Sequence, residues 1–446
     1  MTTLLPFRMA AYSRLARLGP NGPLLPLVKV GRFHQSAKRL ILDNTGRTIA
    51  KSSVISEGKE KLTPVGQILL ETIKTSGPVS VSHFIRQALQ SPMGGYYKKG
   101  KDVLGVEGDF ITSPEISQMF GELIGVWFTA NWRGRQSKLP VRVIELGPGR
   151  GTLMKDMLRA MSRFPDLFSR IEHVHLVESS AELARIQHTT LGVDDSAGQQ
   201  DHAHQTLSPI SWHDSLSDID LSEPAYNIVL AHEFFDALPI YKFQLTDRGW
   251  REVLVDIDEG QEHPWHFRYV LNPHPSMATK TILSPDRFPA SQYRTGDTVE
   301  ISPDAWGVAH SIAKLIQEQE GCALVIDYGD NHSFADSFRG IRKHKFIHPL
   351  SSPGEIDLTF DVDFSLLQNA VGDLATCHGP IQQNHFLGRM GIELRLQKLI
   401  QNAPNKESAN ELVEGFNRLV DPMFMGKVYK AMAITEPDYL PVAFES

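Results

Sequence analysis

Residues 141–153 constrain the fold more tightly than any other stretch of this chain. An apolar strand from Val143 to Leu146, with Glu145 near its end, enters three alternating glycines, Gly147, Gly149 and Gly151, before apolar residues resume at Leu153. A strand that turns on glycines into a helix is the opening unit of a mainly parallel α/β sheet. The glycines supply left-handed dihedrals and let backbone N–H groups come close to a ligand. Glu145 sets a carboxylate beside that ligand. An acid there repels a nucleotide phosphate but attracts the sulfonium and amino groups of S-adenosylmethionine. Two other glycine motifs fit less well: Thr152 stands where a dinucleotide fingerprint needs its last glycine, and no lysine separates Gly151 from Thr152 as a P-loop requires.

Downstream, strand and helix signals alternate. A helix carries Leu153, Met154, Met157 and Leu158, and strands are expected at 173–177, 209–212, 226–231 and 322–328. The fold class is therefore α/β, a Rossmann-like class I S-adenosylmethionine-dependent methyltransferase sheet with an N-terminal helical segment and an inserted antiparallel β lobe. Glu178, at the end of the second strand, is placed to grip ribose hydroxyls with two acceptor oxygens. Asp214, after the third strand, is expected to face the adenine. The polar stretch 108–113, with Thr112 and Ser113, precedes a helix for which Ser113 reads as the N-cap, and is where the cofactor carboxylate would dock. After the fourth strand comes His232-Glu233-Phe234-Phe235-Asp236-Ala237-Leu238-Pro239. If this segment turns helical, Glu233 and Asp236 share a face. Beside a methyl donor, two such acids suggest a cationic or hydrogen-bond-rich acceptor; alternatively they complement a helix dipole.

Before Asp43 the chain has no acid, while Arg8, Arg14, Arg17, Lys29, Arg32, Lys38 and Arg39 interleave with leucines and Phe7. That is the composition of a mitochondrial transit peptide rather than of a secretory signal, whose apolar core Arg14 and Arg17 would interrupt. Removing residues 1–42 takes away seven cations and shifts the formal net charge from −7 to about −14. An acidic mature surface argues against nucleic acid as substrate and suits a basic protein segment. The two cysteines, Cys322 and Cys377, are far apart and fit neither a disulfide framework nor a zinc site. No metal centre is expected, and no apolar run reaches the length of a membrane span. The expected division is a transit peptide at 1–42, an N-terminal helical segment at 43–138, and a methyltransferase domain at 139–440 with its β-rich insertion at about 240–298.

Several ordered blocks carry a family resemblance. Gly108-Asp109-Phe110-Ile111-Thr112-Ser113-Pro114-Glu115, Glu145 to Gly151, Glu233 to Pro239, Ile326-Asp327-Tyr328-Gly329 and Asp357-Leu358-Thr359 resemble the MidA-like family of mitochondrial and bacterial methyltransferases, from about residue 60 to 430. The resemblance implies S-adenosylmethionine-dependent dimethylation of an arginine on the 49 kDa-type subunit of respiratory complex I, in support of complex I assembly, in the mitochondrial matrix. Glu233 is the first candidate to clamp the guanidinium and Asp236 the second. His232 stands where many relatives carry asparagine, so its role in the same site is open. Two rival readings remain: a small-molecule or RNA methyltransferase on the same fold, and an assembly chaperone that binds the cofactor without turnover.

Overall fold

The computed structural model describes residues 60–98, 112–193, 209–260, 263–332 and 334–445. The transit-peptide reading, most of the 108–113 block and the polar loop at 196–206 lie outside them.

The central strands are β1 (Val141–Leu146), β2 (Ile171–Val177), β3 (Ile210–His213), β4 (Tyr226–His232), β5 (Glu320–Asp330), β6 (Thr376–Gln382) and β7 (Tyr429–Thr435). Their order across the sheet is β3-β2-β1-β4-β5-β7-β6, with a short strand, Val362–Asp363, alongside the end of β5. The first five run parallel, whereas β7 is antiparallel to both β5 and β6. This is the Rossmann order 3-2-1-4-5-6 with one reversed strand slipped between the fifth and sixth. Residues on every side bury β1 and β4 completely, which explains why both are mainly apolar rather than alternating, and near their starts the buried Arg142 donates to Asn227 Oδ1 at 2.9 Å.

The helices that matter here are α1 (Pro64–Ser76), α2 (Val81–Gln90), α3 (Gln118–Arg135), α4 (Thr152–Met161), α5 (Ala181–Leu191), α6 (Pro303–Glu318) and α7 (Phe364–Val371). Strand parity divides the core between them. Val141, Val143, Ile228, Leu230, Leu324 and Ile326 face α3 and α4. Ile144, Leu146, Val229, Ala231, Ala323 and Val325 face α6 and α7 on the opposite side. Glu145 and His232 have the parity of the first set, so both point to the α3 face.

Two starts follow their sequence signals. The Thr63 hydroxyl accepts the Gly66 N–H at 2.9 Å ahead of α1, and Ser302 accepts the Ala305 N–H at 3.2 Å ahead of α6. Another start differs: the helix expected from Ser113 is a single turn, Ser113–Ile116, with Thr112 at its N-cap. Ser117 then takes an extended conformation and caps α3 afresh, its hydroxyl accepting the Met119 N–H. Competition by a serine side chain for the backbone explains the break.

The β-rich region is a five-stranded antiparallel sheet of Tyr241–Thr246, Gly249–Ile257, Phe267–Leu271, Thr298–Ile301 and the distant pair Val79–Ser80. Val79 and Ser80 pair with Val255 and Leu254. The N-terminal helices thus share one core with this sheet: Leu69, Ile73, Phe84 and Leu89 pack with Val255, Phe267, Leu358 and Phe360. A second small sheet joins Arg339–Arg342, Lys345–Ile347 and Asp357–Thr359.

Candidate active site

Carboxylates gather where the parallel strands end. Glu145 closes β1, Glu178 follows β2, Glu233 follows β4 and Asp327 lies near the end of β5. In open α/β sheets ligands bind at this edge, where the strand order reverses between β1 and β4.

The glycine loop adopts the conformations its residues permit. Gly147, Gly149 and Gly151 have φ of 64°, 55° and 81°, and Gly151 caps α4. The Gly147 N–H donates to the Val177 carbonyl at 3.0 Å, which ties the loop to the end of β2. A Cβ at position 147 would stand 3.0 Å from the Phe234 ring, so this loop touches the acidic segment that follows β4. Glu145 is 2% exposed, and its Oε2 has no hydrogen-bond partner among the described residues. Burial pushes this carboxyl up to about 8. A buried acid with an unfilled acceptor atom beside a backbone cradle fits the positive end of S-adenosylmethionine.

Glu178 is held firmly. Its own N–H donates to the His213 carbonyl, and its carboxylate accepts from the Ser180 N–H at 2.7 Å and Gln187 Nε2 at 3.3 Å. Burial outweighs those bonds and raises it to about 7. Gln187 Nε2 also donates to the Gly149 carbonyl at 2.7 Å, while its Oε1 accepts from Trp212 Nε1 at 2.8 Å. One fully buried glutamine therefore connects the glycine loop, the second-strand acid and β3. Sequence reasoning passed over it, although Gln187 falls on the apolar stripe of α5 between Leu183 and Leu191, and a polar residue there is a signal. Asp214 lies in an exposed bend directly after β3, next in sequence to the His213 that supports Glu178.

The segment after β4 is not an α-helix. Glu233 has φ of 49°, and Phe235–Ala237 form one 3₁₀ turn. Asp327 accounts for this: its Oδ2 accepts the N–H groups of Phe235 at 3.1 Å and Asp236 at 3.3 Å, fixing a tight turn in place of a helix. The turn still brings Glu233 and Asp236 into one buried site, together with His232. His232 Nε2 stands 3.5 Å from Glu233 Oε1, with side chains 5% and 8% exposed. Neither atom has a hydrogen-bond partner among the described residues, nor does Asp236 Oδ1. Against its burial, interactions with the Tyr429 hydroxyl and the Ser113 backbone pull the Glu233 carboxyl down. Burial, then the neighbouring Asp236, raises Glu233 to about 8. Asp236 is raised by burial, against the pull of hydroxyls from Tyr328 and Thr359. Burial alone drives His232 down to about 3, so its imidazole is neutral, edge-on to Phe120 at 5.0 Å.

The Thr112–Ile116 turn bridges both halves of the site. Ser113 is fully buried, with its Oγ unpartnered among the described residues and its backbone interacting with Glu233. Glu115 Oε1 accepts from Thr152 Oγ1 at 2.7 Å, beside Gly151. Tyr97 spans the same gap: its carbonyl accepts from Ser180 Oγ at 2.6 Å and its hydroxyl donates to Asp357 Oδ1 at 3.0 Å. Tyr97, Asp327, Tyr328, Asp357, Thr359 and Tyr429 complete the acidic end and were not singled out as site residues. An acid ending the continuous apolar β5 was the available signal for Asp327, as it was for Glu178.

Fold and site together define a methyltransferase that uses S-adenosylmethionine. Residues 123–381 match the model of an S-adenosyl-L-methionine-dependent methyltransferase family. Relatives named mitochondrial protein arginine methyltransferase NDUFAF7 include one from Xenopus tropicalis, 39% identical over 82% of this chain and 84% of its own length, and one from Homo sapiens, 38% identical over 86% and 87%. A solved structure from Burkholderia thailandensis with bound S-adenosyl-homocysteine superimposes with a TM-score of 0.68 over 85% of this chain and 94% of its own, at 23% identity. The chain belongs to this methyltransferase family, alongside the NDUFAF7 proteins.

Proposed function

We propose that this protein methylates arginine in a protein substrate within the mitochondrial matrix, and that the substrate is the 49 kDa-type subunit of complex I. The observation that carries this reading is the cluster of three buried acids, Glu233, Asp236 and Asp327, each raised above the ordinary carboxylate range. Arg339, paired with Asp361 at 2.7 Å, offsets part of the charge on Asp236, yet three like charges packed so closely out of water cannot all ionise unless a further cation joins them. A guanidinium is a cation at every physiological pH and brings donors in a planar fork. Relatives named arginine methyltransferases and mitochondrial support the choice of acceptor and compartment.

We assign cofactor binding to Glu145, Gly147, Gly149, Gly151 and Glu178, with Asp214 toward the adenine and Thr112 and Ser113 lining the junction with the acceptor. When bound, S-adenosylmethionine supplies a methyl group carried on a sulfonium. The protein's task is to present a neutral, aimed nitrogen to that methyl. Glu233 and Asp236 hold the guanidinium, and their charge favours localising its positive end away from the reacting nitrogen. As that nitrogen gains carbon it must shed a proton; Glu233 Oε1 and Asp236 Oδ1 are the unpartnered acceptors of the pair, and Glu233 Oε1, 3.5 Å from His232 Nε2, is the one that takes it. The value of about 8 for Glu233 suits a group that takes up a proton near neutral pH. His232, neutral and 3.5 Å away, receives its share of that proton's hydrogen bond.

The test uses the purified protein, S-adenosylmethionine and the 49 kDa-type subunit, with mass spectrometry of arginine-containing peptides. The expected result is mass increments of one and two methyl groups on arginine. Cofactor binding with no methyl transferred would favour the assembly-chaperone reading.

A further inference from the structure

Asp236 is fixed from two directions. Its main chain is anchored by Asp327, which is 0% exposed: Oδ2 accepts the Phe235 and Asp236 N–H groups, and Oδ1 accepts the Tyr328 N–H at 3.0 Å. From the other side, the Phe360 N–H donates to the Asp236 carbonyl at 3.3 Å. The side chain is anchored by hydroxyls, because Thr359 Oγ1 donates to Asp236 Oδ2 at 2.8 Å and the Tyr328 hydroxyl donates to the same oxygen. The Tyr328 and Thr359 hydroxyls also contact each other, so the pair engages Oδ2 through at least one donated proton, while Oδ1 has no partner among the described residues. A carboxylate in that state cannot offer the paired oxygens that a bidentate guanidinium fork requires. Glu233 resembles it in having one unpartnered oxygen, Oε1.

We propose that Asp327, Tyr328 and Thr359 are positioning residues that hold Asp236 as a one-oxygen acceptor, so that a substrate guanidinium is shared between Asp236 Oδ1 and Glu233 Oε1 instead of being clamped by either acid alone. The inference rests on the arginine-acceptor reading and specifies how that site aims its substrate. Sharing places one nitrogen against each acid, with the spacing set by the 233–236 turn and not by a flexible side chain. Loss of a hydroxyl on Asp236 leaves the acid in place but free to rotate.

Thr359→Val is nearly isosteric and removes one donor; Thr359→Ser keeps it; Tyr328→Phe removes the other; Asp327→Asn disturbs the main-chain anchor. The readouts are cofactor affinity by calorimetry, acceptor KM and kcat with the 49 kDa-type subunit, and amide exchange at residues 235 and 236. Thr359→Val and Tyr328→Phe should leave cofactor Kd within about twofold and acceptor KM within about threefold while kcat falls roughly tenfold or more, as expected when alignment rather than binding is lost. Thr359→Ser should keep the wild-type kcat. Asp327→Asn should also lose amide protection at Phe235 and Asp236; if it does not fold, the Thr359 pair still decides. Wild-type kcat in Thr359→Val, or an equal loss in Thr359→Ser, overturns the inference while leaving the acceptor reading intact. Wild-type protein that methylates no arginine overturns both.

Discussion

Glu145→Gln should stabilise the cofactor-free protein increasingly as pH rises and should weaken the cofactor site. In the fold this carboxyl titrates near 8 because burial penalises its charge, against an ordinary value of 4.5. The folded state therefore binds the proton more tightly than the unfolded chain. Its stabilising share is fully present below about pH 4.5 and is lost as pH rises through 8. At about 1.4 kcal/mol for each pH unit travelled between the two titrations, the loss is roughly 1 kcal/mol at pH 5, 3 at pH 7 and 5 at pH 9. Glutamine has no such titration. Its buried amide introduces donors that cost on the order of 1–3 kcal/mol if unpaired, but that cost does not change with pH. The difference in unfolding free energy between variant and wild type should thus drift by about 4 kcal/mol in favour of the variant from pH 5 to pH 9. Urea titration of cofactor-free protein at several pH values measures it. In parallel, calorimetry should find S-adenosylmethionine bound about 10- to 100-fold more weakly by the variant, with a smaller loss for S-adenosylhomocysteine, which lacks the sulfonium charge. A pH-independent stability difference, or equal losses for both cofactor forms, would refute the assignment of Glu145 to the sulfonium.

In the wild-type protein without cofactor, Glu178, raised to about 7, and Glu145 and Glu233, raised to about 8, hold their protons after the unfolded chain has released them, so their stabilising share is full below about pH 4.5 and is lost as pH rises to about 8. His232, lowered to about 3, and His175 and His348, lowered to about 4, are neutral in the fold but charged when unfolded, so their share is full above about pH 6.5 and is lost as pH falls to about 4; the two trends offset between about pH 4.5 and 6.5, net stability should fall above and below that range, and a melting curve flat across both limbs contradicts these environments. Glu233→Gln should keep cofactor affinity within about twofold and lose 100-fold or more of transfer rate; undiminished methylation in a radiolabel assay removes Glu233 from the acceptor site. Gly147→Ala should cost about 2 kcal/mol in a denaturant titration, from its positive φ and the Cβ pressed on Phe234, and should lower cofactor affinity because the loop moves; an unchanged midpoint and affinity show the loop to be slack.

Much of the donor half was legible because its signals are local. Glu145, the alternating glycines and Glu178 sit within one strand–helix–strand unit, and the alternation of strands announced the sheet. The acceptor half was legible only as composition. Glu233 and Asp236 were visible as acids after β4, but their helical reading failed because the deciding group, Asp327, is about ninety residues away and captures their N–H groups. Gln187 looked like a polar interruption of a stripe, and only the packing of Trp212 and Gly149 around it gives it a role. The same holds for Val79–Ser80, two residues with no strand period of their own that become strand by pairing with Val255 and Leu254.

That pairing bears on how the molecule assembles. The Glu60 N–H reaches the Pro264 carbonyl, the Glu60 carboxylate receives Ser352, and the apolar faces of α1 and α2 are completed by residues as late as Phe360. Contacts of such long sequence separation form slowly, since the intervening chain must be closed before they reward it. We expect the N-terminal helices to dock after the central sheet has its early strands, so that pulse-labelled exchange should protect β1 and β4 amides before those of α1 and α2. Tyr97, which follows them, reaches Ser180 and Asp357 from that docked position. A chain arrested before residue 357 can hold a glycine loop and a second-strand acid, yet it cannot seat Tyr97 on its carboxylate, so the acceptor crevice is among the last features to mature.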